Sequence, residues 1–440
     1  MRTLDALVEL TGSSYAAIGS PCHVLLGLSG GADSVALFYV LILLRQNHGF
    51  DFSCVHVHHG LREAADGDER FVRDLCQRYG VRLFVRRVAV HADGSLEAAA
   101  REARYAAFCD VMRLSGAAVL ALAHHADDQA ETMLMRLMHG AGTKGLSAMR
   151  PYQAAIWRPL LDVEGHILRS MLAEEGIAWR EDESNEDTVY LRNAVRHLVL
   201  PQMKALAPHC VRSMYRTAAI LQEEDDFLDA YTKAWLQENA STRQPYVFVM
   251  TAACSQLHAA VQRRAIRLLC VAQGIEPTYD QTEAARALLA DDRKGNSVNL
   301  PSGCRALRTE TRLHILPTKR VECVLGGYMV MGEASPGFYG DGRREQVFPL
   351  AALRGASLRF REPGDVIRPL GVAGTQTLKE YMISKKIDQP FRDTTPLLAC
   401  GNRVLWVIGT GISQEAAVTT EMRRHVLLRY VGPLPADITS

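Results

Sequence analysis

From about residue 22 to residue 180, short apolar runs alternate with longer segments in which apolar and polar residues are mixed. Nearly continuous apolar strands separated by helices are typical of a parallel sheet that is covered on both faces. The apolar runs are "HVLLGLS", "FSCVHVHHG", "RLFVRRVAV", "AVLALAHH" and "AIWRPLL". The predicted helices that follow them are Ala32–His48, Asp66–Tyr79, Ser95–Leu114, Ala126–His139 and Val163–Glu175. The pattern therefore predicts an α/β domain with a doubly wound parallel sheet, which we place at residues 1–205.

The remainder of the chain changes its pattern twice. Apolar residues recur at three- and four-residue spacing in "LQEEDDFLDAYTKAWLQE" and "AAVQRRAIRLLCVAQG", which predicts a mainly helical middle domain at residues 206–325. After "DDRKGNSVNLPSG" short alternating runs follow, with Gly and Pro between them, and "TLKEYMISKKI" is of helical type. We expect a small α+β C-terminal domain at residues 345–432.

Composition and charge narrow the class of protein. The formal net charge is +1, so a polyanionic partner would have to be held by local basic patches, and the chain after residue 333 has a modest excess of Lys and Arg. The ten cysteines include no C-x-x-C pair, which argues against a zinc or iron–sulfur site and favours free thiols in a reducing compartment. The longest apolar run, "VALFYVLILL", is too short to span a membrane, and the first residues do not resemble a signal peptide. We therefore expect a cytoplasmic protein without a membrane partner.

Polar residues cluster just after the first predicted strand, where a parallel sheet usually binds its ligands. In "LSGGADS", Gly30 and Gly31 allow a close turn before a helix start, whose free N–H groups and dipole favour a phosphate. Ser29 and Ser34 add hydroxyl donors. Asp33 would repel a phosphate unless a divalent cation lies between them or the carboxylate caps the helix. The alternative is a turn whose glycines serve packing and whose Asp or Ser is a helix cap.

A second polar cluster, "HHADDQAE", follows the fourth predicted strand at the opening of a helix. Asp127 and Glu131 are four residues apart and so share one helical face, close to Asp128. These carboxylates could hold Mg²⁺ or pair with an ammonium group, and His124 and His125 could bond to phosphate or ribose. The alternative is that Asp127 caps the helix and that the first turn is a solvated acidic surface.

A third cluster, "HVHHG", ends the second predicted strand. His56 and His58 share one face of a strand, and His59 faces the other way. No cysteine or carboxylate lies near them at the spacing of zinc ligands. We therefore expect these histidines to shape the crevice or to position a substrate rather than to bind a metal ion.

These motifs occur in an order that resembles the tRNA(Ile)-lysidine synthetase family. "SGGADS" matches the S-G-G-x-D-S loop of the PP-loop ATP pyrophosphatases, which cleave ATP between its α and β phosphates. The other matching segments are "HVHHGLR", "EAAAREARYAAF", "HHADDQAET", "GTKGLSAM", "RPLL", "WREDESNEDTVYLRNAVR", "LPQM", "LRFREPGDVIRPLG", "KEYMISKKIDQPFRDTTPLL" and "VLWVIGTGI". The resemblance covers most of the chain and is loose only between about residues 205 and 345.

The resemblance implies an ATP-dependent ligase that acts on tRNA(Ile) with a CAU anticodon. In this family the oxygen of the wobble cytosine attacks the α-phosphate of ATP and releases pyrophosphate. The amine of free L-lysine then displaces AMP and leaves lysidine, which changes the codon and amino-acid specificity from Met to Ile. The substrates implied for this chain are therefore ATP, L-lysine and tRNA(Ile), with Mg²⁺ as the metal ion.

The resemblance also implies roles for individual residues. Mg²⁺ would be bound with help from Asp33. The ATP-binding loop would comprise Ser29, Gly30, Gly31, Ala32, Asp33 and Ser34. The residues implied in catalysis or lysine binding are Asp33, His125, Asp127, Asp128 and Glu131. Of these we favour Glu131 and Asp128 for lysine.

Polar and basic side chains in two regions are candidates for contacts with the RNA. In the first domain these are Arg101, Arg104, Arg192, Asn193 and Arg196. In the C-terminal domain they are Arg361, Lys379, Lys385, Lys386 and Arg392, which we expect to form a basic surface beside Tyr381 and Phe391. The resemblance suggests that this second group binds the acceptor stem through its shape and phosphates. A solvated charged surface is the alternative for both groups.

Three other functions share part of this pattern. A tRNA thiolase also adenylates a tRNA base, but it needs a sulfur-carrying cysteine or an iron–sulfur cluster, against which the missing C-x-x-C argues. An amidotransferase-type ligase needs a glutaminase domain or partner, and the sequence has no segment that matches one. A silent tRNA-binding protein would have no need of the four acidic residues Asp33, Asp127, Asp128 and Glu131. The sequence leaves a homodimer open.

Overall fold

The computed structural model describes residues 4–20, 22–58, 65–88, 96–181, 191–242, 247–291, 293, 295–317, 329–332, 338–418 and 425–432. The chain divides into two compact units, Met1–Phe227 and Leu228–Ser440. None of the helices in these ranges is both long and apolar enough to cross a membrane. The nine cysteines in the same ranges are free thiols.

A six-stranded sheet forms the centre of the first unit. Its strands are β1 (His23–Gly27), β2 (Asp51–His58), β3 (Arg82–Arg87), β4 (Val119–Ala121), β5 (Tyr152–Gln153) and β6 (Ile156–Trp157). Their spatial order is β3-β2-β1-β4-β6-β5, and every neighbouring pair is parallel except β5 with β6. Strand β1 buries Val24, Leu25 and Leu26, because apolar clusters cover the sheet on both faces. The predicted doubly wound parallel sheet is confirmed.

The helices of this unit are α1 (Leu4–Ala17), α2 (Ala32–His48), α3 (Ala65–Arg78), α4 (Leu96–Ser115), α5 (Ala126–Met138), α6 (Thr143–Leu146), α7 (Gly165–Glu174), α8 (Leu191–Ala194) and α9 (Leu200–Leu206). A π-helical turn, Val195–Val199, joins α8 to α9. The five predicted helices end within two residues of their expected bounds. Helix α1 lies outside the predicted pattern, and it packs Leu7 and Tyr15 into the core beside Trp157.

The strand order determines where a ligand site can lie. The chain runs outward from β1 to β3 and then returns to place β4 on the other side of β1. The connections that leave β1 and β4 therefore diverge, and a crevice opens between them. The polar clusters "SGGADS" and "HHADDQAE" lie just after these two strands.

The first part of the second unit combines helices with an antiparallel sheet. Helix α10 (Cys210–Asn239) contains the boundary between the units, and α11 (Thr251–Ser255), α12 (Ala259–Ala272) and α13 (Tyr279–Ala287) follow it. The strands, in the spatial order β7-β8-β11-β10-β9, are β7 (Ala240–Ser241), β8 (Val247–Met250), β9 (Ser297–Leu300), β10 (Cys304–Arg308) and β11 (Arg312–Pro317). Residues 206–325, predicted as mainly helical, thus also contain a sheet. Strand β8 escapes prediction because it is buried on both faces and so lacks the alternation that marks a strand.

The second part of this unit has the α+β architecture that the sequence predicts. Its strands are β12 (Met329–Gly332), β13 (Glu345–Pro349), β14 (Ala356–Arg359), β15 (Val366–Ile367), β16 (Gln376–Thr377), β17 (Leu397–Cys400), β18 (Arg403–Val407), β19 (Gly411–Ile412) and β20 (His425–Tyr430). One sheet has the order β12-β20-β13, and the other has β14-β17-β18-β15-β16 with β19 paired to β18. The helices are α14 (Leu378–Ser384) and α15 (Gln389–Arg392). Thr377 and Glu380 form the capping box that starts α14.

Candidate active site

The loop after β1, residues 29–34, is held in shape by its own hydroxyl groups. Gly30 has a φ of +98°, a left-handed conformation that favours glycine. The N–H of Gly30 donates to Ser34 Oγ at 3.2 Å, and Ser34 Oγ donates to the carbonyl of Gly31 at 2.9 Å. The N–H of Gly31 donates to Ser29 Oγ at 3.3 Å. The two serines, predicted to contact a phosphate, therefore also brace the 29–34 loop from within.

Helix α2 begins at Ala32 without a side-chain cap. Gly31 is its N-cap residue, and no side chain provides a capping hydrogen bond there. The alternative in which Asp or Ser caps this helix is therefore wrong. First-turn N–H groups without a side-chain acceptor form the kind of site that binds an anion.

Asp33, in the first turn of α2, has one oxygen atom without a partner. Its Oδ1 is buried and accepts no hydrogen bond, whereas its Oδ2 lies 3.5 Å from Nε2 of His125. A buried carboxylate oxygen is costly when it is left unpaired. The residue fits the predicted Mg²⁺, because a hard oxygen ligand beside a phosphate site is what this ion prefers.

His125 connects the 29–34 loop with the acidic cluster after β4, which comprises Asp127, Asp128 and Glu131. It is the N-cap residue of α5, and its N–H donates to Asp128 Oδ2 at 3.0 Å. Its ring atom Nδ1 lies 3.4 Å from Asp127 Oδ2. Burial alone would lower the pKa of His125, but the carboxylates of Asp128, Asp127 and Asp33 outweigh burial and raise this pKa to about 10. The ring is therefore an imidazolium that faces three carboxylates.

Asp127 does not cap helix α5, so the capping alternative for this residue is also wrong. Its Oδ2 accepts the N–H of Gly165 at 2.8 Å, and its Oδ1 accepts a short hydrogen bond from Nζ of Lys204. Burial would raise the pKa of Asp127, but bonds from His125, Lys204 and Gly165 hold it well below its usual range. Lys204 is not among the residues predicted for the site, because it lies 77 residues from its partner and no local motif marks it.

Glu131 is completely buried and is paired with two arginines. Arg192 Nε donates to its Oε2 at 2.9 Å, and Arg196 donates to both carboxylate oxygens at 2.6 and 3.0 Å. Arg196 also donates to Asp128 Oδ1 at 3.2 Å. A buried carboxylate needs such partners to offset its desolvation. Arg192 and Arg196, predicted to contact the RNA backbone, are thus paired with the acidic cluster in the free protein, and Asn193 is half-buried between them in the chain.

His124 stays neutral beside this charged cluster. Burial is the main cause that lowers its pKa to about 4, and Arg158 and Arg101 act in the same direction. Arg158 Nε donates to Nδ1 of His124 at 3.2 Å, so the imidazole proton is on Nε2. Arg101 is exposed on α4 with its guanidinium over the ring of Tyr105. Arg104 is exposed on the same helix.

The histidines of β2 have structural partners. His56 Nδ1 lies 2.9 Å from the backbone carbonyl that precedes the 29–34 loop, and burial lowers its pKa. Three residues could together hold a metal ion: His58, Asp66 and Glu69. However, Arg87 Nη2 lies 3.0 Å from Glu69 Oε2 and already supplies positive charge. His59 lies outside the described residues.

The basic residues predicted to bind RNA in the C-terminal domain fall into two groups. Three of them are exposed on α14 and in the turn after it: Lys379, Lys385 and Lys386. Arg361 pairs with Asp393, and Arg392 Nε donates to the carbonyl of Ile387 at 2.9 Å. These two arginines therefore stabilise the fold, and the exposed lysines are the stronger candidates for RNA.

The aromatic residues expected beside this basic surface are core residues instead. Tyr381 is 2% exposed and Phe391 is 1% exposed. Tyr381 is buried because it lies on the inward face of the amphipathic helix α14. The Tyr381 ring approaches the basic surface at Lys385, whose Nζ lies 5.7 Å from the ring centroid. Their predicted surface position is therefore wrong.

Three family models match the chain. A PP-loop domain matches residues 11–203, a TilS substrate binding domain matches residues 252–314, and a TilS substrate C-terminal domain matches residues 356–428. The first range contains the 29–34 loop and the acidic cluster. The third range contains the exposed lysines of α14.

Curated proteins named tRNA(Ile)-lysidine synthase are similar to this chain over nearly its whole length. The protein of this name from Geobacter sulfurreducens is 33% identical over 440 residues, which cover 93% of this chain and 93% of the relative. The one from Salmonella heidelberg is 33% identical and covers 90% of this chain and 94% of the relative. The one from Caldanaerobacter subterraneus is 29% identical and covers 94% and 95%.

Proposed function

Because the chain belongs to the tRNA(Ile)-lysidine synthase family, we propose that it ligates free L-lysine to the wobble cytidine of the CAU anticodon of tRNA(Ile), through an adenylated cytidine. Family membership makes the protein an ATP-using PP-loop ligase that modifies tRNA. The observation that most directly supports the proposal is the 3.5 Å approach of Asp33 to His125. This contact joins the 29–34 loop to the acidic cluster across one crevice.

In the first step, the cytosine oxygen attacks the α-phosphate of ATP and pyrophosphate leaves. Negative charge grows on the phosphate oxygens, and the uncapped start of α2 offers N–H groups and a positive dipole to them. Asp33 would hold Mg²⁺ through Oδ1, and this ion, when bound, supplies positive charge against the triphosphate. His125 lies against Asp33 Oδ2, so that Oδ1 is the atom left for a cation.

In the second step, the lysine amine displaces AMP from the cytosine. This amine arrives as an ammonium ion, so it needs a negative partner and must lose a proton before it attacks. Asp128 and Glu131 are the proposed partners, and in the free protein both are paired with Arg192 and Arg196. The arginines move to the phosphates of the bound ATP or RNA, and the ammonium takes their place. The single ammonium then pairs with the two buried carboxylates, which lowers the cost of uncovering them.

This exchange has a direct test. Calorimetry of lysine binding, with and without a non-hydrolysable ATP analogue, should show weaker binding to the free protein, because the arginines then still occupy Glu131. D-lysine is a control of equal charge. Equal affinity for L-lysine in both states would contradict the exchange.

The RNA is proposed to bind through phosphate contacts on the exposed basic side chains. These are Arg101 and Arg104 on α4 and, in the C-terminal domain, Lys379, Lys385 and Lys386. The half-buried Asn193 is proposed to add a polar contact. Such contacts position an RNA and make its binding sensitive to salt.

The proposed activity is tested by incubating the purified protein with ATP, Mg²⁺, labelled lysine and tRNA(Ile) that carries the CAU anticodon. We expect label in this RNA and release of AMP and pyrophosphate. Elongator tRNA(Met), which has the same anticodon, is the matched RNA control and should stay unlabelled. Absence of label in tRNA(Ile), or equal labelling of both RNAs, would refute the proposal.

A further inference from the structure

The sheet formed by β7 to β11, which we call the middle sheet, is covered on both faces. One face carries apolar side chains that pack with the helices of the same segment: Val247, Val249, Leu313 and Ile315. Because side chains alternate along a strand, Phe248 and His314, which are direct cross-strand partners, lie on the opposite face with Arg312. His314 is 0% exposed and Phe248 is 4% exposed. The second face is therefore also shielded from water.

The segment that shields this face belongs to the C-terminal part of the unit. Asp388, the N-cap residue of α15, directs one oxygen, Oδ2, at three donors on β11 and in the turn before it. This oxygen lies 2.9 Å from Arg312 Nη1, and 3.3 Å from both His314 Nε2 and Thr309 Oγ1. Phe391 of α15 packs edge-on against the ring of His314, with ring centroids 5.3 Å apart. The contact thus combines a buried charge pair with an edge-on contact between two rings.

The contact between Asp388 and the middle sheet should weaken strongly when either charged group is removed, because both are buried. The side chains of Arg312 and Asp388 are each 10% exposed, so removal of either charge leaves the other buried without compensation. His314 donates to the same oxygen, and burial lowers its pKa, so it acts here as a neutral donor. The contact also links the ranges that match two separate substrate-domain models, residues 252–314 and 356–428.

The position of Asp388 in the chain relates this contact to the proposed RNA surface. Lys385 and Lys386 lie in the turn between α14 and α15, two to three residues before Asp388. Arg392 Nε closes the turn by its bond to the carbonyl of Ile387. A carboxylate fixed on the middle sheet therefore also fixes the orientation of the two lysines.

We infer that Asp388 is a positioning residue that docks the C-terminal substrate domain on the Phe248–His314 face of the middle sheet, so that the two segments bind one tRNA as a single body. This inference rests on the proposed function. A binding module that is already held in place loses less freedom when the RNA binds than one that moves independently. Asp388 itself touches neither the RNA nor the reacting atoms.

The test uses the full-length protein with Asp388→Asn, which keeps the shape of the side chain and removes its charge. The KM for tRNA(Ile) in lysine transfer should rise about fivefold or more, because docking no longer precedes binding. The kcat at saturating tRNA should stay within about twofold of the original value, since the chemistry lies elsewhere. Asp388→Glu, which restores the charge, should recover part of the KM.

A matched control is Glu283→Gln. Glu283 also pairs with two arginines, Arg263 and Arg286, but all three lie on α12 and α13 within one segment. This variant should leave the KM for tRNA unchanged. Circular dichroism of each variant verifies that the protein is folded.

Hydrogen exchange distinguishes undocking from a local effect. In Asp388→Asn, amides of β8, β11 and α15 should exchange faster, and in Glu283→Gln they should not. Filter binding of tRNA needs no lysine transfer, so it tests the docking even where the proposed reaction fails. An unchanged affinity for tRNA in Asp388→Asn would overturn the inference. A weaker affinity without faster exchange of β8 and β11 would overturn it as well.

Discussion

Replacing Arg196 with methionine tests how the buried Glu131 is held in the free protein. The change removes the guanidinium that bonds both oxygens of Glu131, while the methionine keeps much of the apolar length. Arg192 then remains as a partner through one hydrogen bond of 2.9 Å. Removal of one partner of a buried ion pair costs about 3–5 kcal/mol in general. Because Arg196 is 31% exposed and Arg192 remains, we expect a loss of about 2–3 kcal/mol in the stability of helix α5.

Native-state hydrogen exchange of the α5 amides measures this free energy of opening without requiring the two units to unfold together. The double variant Arg196→Met/Glu131→Gln should be less destabilised than the two single changes predict together, with a coupling of about 2 kcal/mol. The control Arg113→Met removes an exposed pair with Asp110 on α4 and should cost under about 0.5 kcal/mol. Additive losses from Arg196→Met and Glu131→Gln would refute the reasoning, because they would show that the two side chains do not depend on each other.

Three further changes have defined outcomes. Gly30→Ala puts a Cβ at a φ of +98° and 3.4 Å from Val72, so it should weaken ATP binding measured at equilibrium, whereas Gly116→Ala, at a φ of +71° in open space, should not. Asp33→Asn should abolish pyrophosphate release, because the neutral amide no longer offers a charged oxygen ligand at Oδ1; normal release would remove this residue from the mechanism. Burial lowers the pKa of His314, so the unfolded chain binds a proton that the folded chain does not, and the second unit should lose stability as the pH falls from 7 to 5. A melting temperature of that unit that is equal or higher at pH 5 would contradict this.

Local sequence patterns were sufficient for the parallel strands and for the five helices that follow them in the chain. Each signal there spans only one element and its loops: an apolar run, a polar turn and a helical repeat. Helix α2 is an example, because it starts directly after the turn at Gly31 and ends before Gly49, which has a φ of +65°. Strand β8 shows the limit of such patterns. Its four residues became a strand through pairing with β11, which lies over sixty residues further along the chain.

The composition of the candidate site could be predicted, but its pairing could not. All four carboxylates and His125 lie in short motifs that directly follow strands, so their convergence follows from the topology of the sheet. The cations come from a different part of the chain. Arg192 and Arg196 lie 61 and 65 residues after Glu131, and a helical spacing that indicates a shared face does not indicate what that face meets. Tertiary contacts therefore pair Arg192 and Arg196 with the acidic cluster, although their local spacing indicated contacts with RNA.

The ion pairs of the site also explain how two predicted roles can be combined there. These are the binding of lysine by the carboxylates and the binding of phosphates by the arginines. Every carboxylate of the site has a cationic partner within 4.0 Å: Asp33 has His125, Asp127 has Lys204, and Asp128 and Glu131 share Arg192 and Arg196. A site that is already neutral gains nothing from a second cation such as lysine until something else removes the first. ATP and RNA bring negative phosphates, and arginine binds phosphate bidentately, so their arrival supplies that competitor. In the mechanism that we propose, the arginines then act on phosphates, and the same movement opens Asp128 and Glu131 to the lysine ammonium only after the nucleotide and the RNA are present.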